Sequence, residues 1–195
     1  MKRELLALIL AMGLGSTARA ETFSFPEHGF EMTCLDSWER IPFPEEEEFE
    51  GIDFGSSRAN DAARSGSKGG LLRLWNPYLP RGTPPEILLR LKPSTRISSF
   101  ENLQKVRRNL GDHMEVLSIL GPKHTRMGQF DGALLDASVQ VTEDGEPQVY
   151  HVLLYRTKIG TNELSVIASH APDIDLRAFP EIEDCVQSLR RVETE

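Results

Sequence analysis

Ser138, His151 and Asp136 are the residues whose types come nearest to a catalytic set. A hydroxyl, an imidazole and a carboxylate supply the nucleophile, base and orienter of acyl transfer when they are held within hydrogen-bond reach. A hairpin would bring them together. Asp144-Gly145 is a two-residue turn signal between the runs Ala133–Thr142 and Gln148–Thr157. With that turn Val141 faces Gln148, Val139 faces Tyr150, Ala137 faces Val152 and Leu135 faces Leu154, a nearly all-apolar row that makes a core face. The same register puts Ser138 opposite His151 on the outer face, with Asp136 one pleat away and Tyr155 beside them. A flat strand offers neither the strained elbow that exposes a nucleophile nor backbone donors for an oxyanion. The preferred reading is therefore a polar solvent face, with a serine-type hydrolase as the alternative. Leu134, Val149, His151, Leu153 and Tyr155 share that face, an amphipathic surface suited to a protein or small ligand.

Other chemistries find less support. His28, His113, His124, His151 and His170 are scattered without the short pair spacings of metal motifs, so no metal site is expected. Ser67-Lys68-Gly69-Gly70 is glycine-rich but lacks the order of a phosphate loop, and no cofactor is expected. The acidic run Glu45 to Glu48 reads as a solvated loop, because neighbouring acids on one extended segment do not converge on calcium without a turn. Cys34 and Cys185 are the only two cysteines. Cys34 alternates in phase with Phe30 and Met32, and Cys185 falls on the apolar stripe of a closing helix, so both thiols point into one core. A disulfide between them is expected, the alternative being two small buried hydrophobes in unrelated places.

These residues need elements to position them. Phe23 and Phe25, then Phe30, Met32 and Cys34, predict two short strands around the turn Pro26 to Gly29. The tract from Gly55 to Gly70 reads as a loop, and Leu71 to Trp75 as a strand. Thr83-Pro84-Pro85-Glu86 has capping-box spacing with Pro at the first helical position, which predicts a short helix over 86–91. A second capping box, Ser98 with Glu101, opens a helix to Leu110 whose inner face carries Phe100, Leu103, Val106 and Leu110. A strand is expected over Glu115 to Leu120, then the hairpin, then a turn at Gly160-Thr161-Asn162 into a strand over Leu164 to His170. The closing helix carries Leu176, Phe179, Ile182, Val186 and Leu189, with Pro180 in its first turns.

The first twenty residues read as a cleavable export signal: Lys2 and Arg3, an apolar stretch from Leu5 to Leu14, and Ala18-Arg19-Ala20 before the cut. The stretch is short of the ~20 apolar residues that span a bilayer, and no cysteine stands at the cut for a lipid anchor. The expectation is a periplasmic or secreted domain over 21–195 with no membrane anchor. The chain carries 22 basic and 30 acidic residues, net −8. Loss of the signal, with three cations against one acid, makes it more negative. Such a field repels phosphate backbones and anionic lipid surfaces, so no nucleic-acid partner is expected.

The opening Phe25-Pro26-Glu27-His28-Gly29-Phe30, a following Trp38, a middle helix, an antiparallel meander and a final helix ending in Ser188-Leu189-Arg190 resemble the PsbP-like superfamily. That superfamily takes in the photosystem PsbP proteins, the Ran-binding Mog proteins and bacterial envelope proteins of the DcrB type. The resemblance covers nearly the whole of 21–195. It implies an α+β fold, an antiparallel sheet with helices packed on its core face in an αβα sandwich, and a non-enzymatic binding or assembly role. It transfers no catalytic residue. The lipidation cysteine of many bacterial members is missing here. The expected partner is a protein or small molecule in the cell envelope, and the sequence leaves its identity and the oligomeric state open.

Overall fold

The computed structural model describes residues 19–43, 69–79, 84–112, 114–143 and 146–193. Residues 1–18 of the expected signal, the acidic run 45–48, the tract 55–68, His113 and the Asp144-Gly145 turn lie outside them.

Among the described residues ten strands and two α-helices follow in the order β1 (Ala20–Phe25), β2 (Phe30–Leu35), β3 (Glu39–Arg40), β4 (Gly70–Trp75), β5 (Glu86–Pro93), α1 (Ser99–Asn109), β6 (Glu115–Met127), β7 (Phe130–Glu143), β8 (Glu146–Ile159), β9 (Asn162–His170), α2 (Asp175–Gln187) and β10 (Arg190–Arg191). β1, β2 and β10 form a small sheet, and the other seven strands a large one in the order β3-β4-β5-β9-β8-β7-β6. Every pairing is antiparallel. The fold is α+β, and α1 and α2 lie on opposite faces of the large sheet.

The β7–β8 hairpin keeps the register read from its turn: Val141 pairs with Gln148, Val139 with Tyr150, Ala137 with Val152, Leu135 with Leu154, and Glu143 with Glu146 across the two intervening residues. The apolar row packs under α1, where Leu103 and Ala133 are fully buried beside Leu135 and Leu154. Burial of one such leucine contributes about 1.5–3 kcal/mol. α1 starts where the sequence places it, with the Ser98 hydroxyl accepting from the Glu101 N–H and the Glu101 carboxylate accepting from the Ser98 N–H.

The opposite face of the sheet carries the larger core. Phe30, Met32 and Cys34 of β2 and Ala178, Ile182, Cys185, Val186 and Leu189 of α2 and its end close over Leu72, Leu74, Ile87, Leu89, Leu153, Tyr155, Leu164 and Val166. The expected disulfide is present: Cys34 and Cys185 are bonded, with their Cα atoms 4.7 Å apart. Gly128, in the turn between β6 and β7, abuts the end of α2. A Cβ there would stand 1.9 Å from the Leu189 carbonyl oxygen, and φ is +57°, so only glycine fits.

Three expectations are corrected. The segment 86–91 is strand β5, not a helix. Ile87 and Leu89 are fully buried among the larger core, and pairing with β4 on one side and β9 on the other outweighs a local capping pattern, as tertiary context commonly does. The strand expected to stop at Leu120 runs on to Met127 through Gly121-Pro122, whose peptide bond is cis, with the register shifting between Leu120 and Lys123. Leu176 is 95 % exposed and not part of the apolar stripe of α2. At 3.6 residues per turn it stands roughly 120° around the helix from Ile182.

Candidate functional site

The residues singled out in the sequence fall on the face of β7 and β8 that looks away from α1. Leu134 pairs with Tyr155, Asp136 with Leu153, Ser138 with His151 and Gln140 with Val149. Along those strands the face divides in two. Toward the β8–β9 turn, Leu134, Leu153 and Tyr155 are buried in the larger core, so the expectation that they form an open surface is corrected. The sequence pattern could not show this, because the hydrophobic count of both faces is high and the cover comes from β2 and α2, far away in the chain. Burial pushes the Tyr155 phenol well above the ordinary tyrosine range, with the charges of Glu183 and Asp136 adding to it.

Toward the 143–146 end the face is partly open. Asp136 and His151 keep side-chain exposures of 24 % and 18 %, and the His151 Nε2 lies 2.7 Å from Asp136 Oδ1. The carboxylate can only accept, so this nitrogen carries the proton in that contact. His151 also pairs with His170 on β9, their rings edge to face at 4.9 Å. The buried His170 lies with Nδ1 3.1 Å from the Ala171 carbonyl, to which it donates. Ser138 and Val149 are half-buried. Residues 136–140 stay in ladder register with 149–153, so the site has an imidazole–carboxylate pair beside a serine on a regular strand, with no elbow.

Edge strand β6 completes this region. Ser118 pairs with Ser138 and Leu120 with Asp136, while Leu117 fills the register shift between Val116 and Ser118. Leu120 is 67 % exposed and Leu117 49 %. The sequence reading placed a strand here but passed over both leucines, because a bulge decides which side chains an edge strand turns outward. It also missed Glu181 on α2, whose Oε2 accepts from Trp38 Nε1 at 3.0 Å and Asn76 Nδ2 at 2.9 Å. That carboxylate satisfies two donors on fully buried residues and ties the turn before β3 and the residue after β4 to α2. Among the described residues no group of three or more His, Cys, Asp or Glu side chains could hold a metal ion. No helix among them is long and apolar enough to cross a membrane.

No protein-family model and no curated protein matches the chain in sequence. Solved structures do match in shape. Cyanobacterial PsbP from Synechocystis superposes with a TM-score of 0.53 at 11 % identity over 92 % of this chain and 96 % of its own. LpqN, involved in cell envelope biogenesis of Mycobacterium tuberculosis, gives 0.51 at 14 % identity over 90 % and 86 %. A Bacteroides thetaiotaomicron protein gives 0.51 at 14 % identity; it covers 89 % of this chain, which spans 48 % of that one. The fold is thus PsbP-like, and at these identities the likeness concerns fold alone.

Proposed function

We propose that the protein is a non-enzymatic binding or assembly module of the cell envelope, engaging a protein or small ligand through the open end of the β6–β7–β8 face. The observation that carries this reading is the pair of exposed leucines, Leu117 and Leu120, on an edge strand beside the half-buried Asp136, Ser138, Val149 and His151. Apolar side chains rimmed by polar ones, next to a strand edge that no other described strand pairs with, are the chemistry of a partner surface. The Cys34–Cys185 disulfide fits an oxidising compartment. The signal-like first twenty residues and the envelope role of LpqN support a periplasmic or secreted location. A Leu117→Ser, Leu120→Ser double variant should stay folded by circular dichroism and lose the partner that the wild type retains from envelope extract. Retention of the same partner would remove the reading.

The contact between His151 and Asp136 favours a second reading, a serine-type hydrolase using Ser138. A fluorophosphonate probe separates the two. A binding module stays unlabelled; a hydrolase labels and loses the label on Ser138→Ala.

A further inference from the structure

The other end and other face of the large sheet carry a feature that the partner surface does not use. On β5, β9 and β8, Arg90 pairs with Ser165 and Ser165 with Arg156; two residues along, Lys92 pairs with Glu163 and Glu163 with Lys158. Residues two apart on a strand share a face, so these six side chains form two adjacent rows on the face that also carries α1. Four cations therefore surround one carboxylate and one hydroxyl, in a chain whose net charge is −8.

The carboxylate is largely committed elsewhere. Glu163 Oε2 accepts from Asn102 Nδ2 at 2.8 Å and lies 3.5 Å from Ser99 Oγ, both on the first turn of α1, while its Oε1 stands 3.6 Å from Arg156 Nη1. Lys158 Nζ donates to the Thr95 carbonyl at 3.0 Å. Among the described residues Arg90 and Lys92 have no ion-pair partner, and the buried Arg156 Nε has no acceptor. Buried donors normally find partners, and cations are rarely placed side by side without an anion between them. Burial lowers the basicity of Arg90, Lys92 and Arg156, and for Lys92 the charges of Arg90 and Arg156 lower it further.

We propose that Arg90, Lys92, Arg156 and Lys158, with Ser165 between the two guanidiniums, form a binding site for a phosphate-bearing ligand. Strands lie about 4.8 Å apart, so Arg90 and Arg156 straddle a gap of about 10 Å at the backbone, which two long side chains can close on a tetrahedral oxyanion. Four cations against one acid favour a dianionic phosphate over a single carboxylate, because the dianion cancels more of the excess charge. The next row on this face, Leu88 paired with Ile167, is apolar and half-buried, so the group attached to the phosphate meets an apolar floor.

The source of the phosphate is either a soluble phosphomonoester or a lipid headgroup, and two arms of one experiment distinguish them. Calorimetric titration of the full-length protein with glycerol phosphate tests the first. Co-sedimentation with phosphatidylcholine vesicles, with and without phosphatidic acid, tests the second. Saturable binding is expected in at least one arm. Lys92→Gln with Lys158→Gln, both exposed, should weaken it at least about tenfold, as loss of two charge-assisted contacts requires. Arg90→Gln should do the same with the far-ultraviolet spectrum unchanged. The Leu117→Ser, Leu120→Ser variant should bind phosphate like the wild type, so this site stands or falls separately from the partner surface. Absence of saturable binding in both arms, or binding that the lysine and arginine variants leave unchanged, overturns the proposal.

Discussion

Cys34 on β2 and Cys185 on α2 are covalently joined across 151 positions of the chain, so the first strands and the last helix cannot part without breaking that bond. The protein, denatured without reductant, should take up no alkylating group, and two after reduction. The chain-entropy account gives on the order of 4–5 kcal/mol for a loop of this length as an upper figure. The Cys34→Ala, Cys185→Ala double variant should show a urea midpoint lowered accordingly. An unchanged midpoint would place the stability of this end wholly in packing.

Glu181 should matter more than its position on a helix surface suggests. Removing its carboxylate leaves the indole N–H of Trp38 and the amide of Asn76 without their acceptor, and both residues are 1 % exposed. Each stranded donor costs about 1–3 kcal/mol, so Glu181→Ala should lose about 2–6 kcal/mol, and Glu181→Gln, which keeps one acceptor oxygen, distinctly less. Chemical unfolding of the two variants beside the wild type gives both numbers.

The start of α1 gives a pH-dependent prediction. Hydrogen bonds from the Ser98 N–H and hydroxyl hold the Glu101 carboxyl below its ordinary value of 4.5. A depressed carboxyl stabilises the fold above its unfolded-state pKa, and that contribution is lost as pH falls through the folded-state value. Wild type should therefore exceed Glu101→Gln in stability at pH 7, with the gap closing below about pH 4.5. Ser98→Ala should cost about 1 kcal/mol at neutral pH, the usual loss for a helix cap. Thermal melts across that range would check both.

The register of β7 and β8 was readable because one dipeptide turn fixes every pair along a hairpin. So was α1, whose cap and apolar spacing agree. The disulfide followed from two local patterns, strand alternation at Cys34 and helical spacing at Cys185, that point into one core. β5 is not legible because Thr83 to Glu86 carries a local helix signal, while the reason for a strand is the pairing with β4 and β9. The burial of Leu134, Leu153 and Tyr155 was illegible for a related reason: the cover over them is β2 and α2. Arg90, Lys92, Arg156 and Lys158 are not legible as a cluster in the sequence because their rows run across three strands, and one of those strands carries a local helix signal.

The proposed partner surface is best tested in living cells with a photo-crosslinking amino acid placed at position 120, and at Arg107 on the exposed side of α1 as a control. Irradiation should give a discrete higher-mass adduct from position 120 and none from position 107, and adding Leu117→Ser should abolish it. The same adducts from both positions, or none from 120 at normal expression, would contradict the assignment of this face as the one that binds.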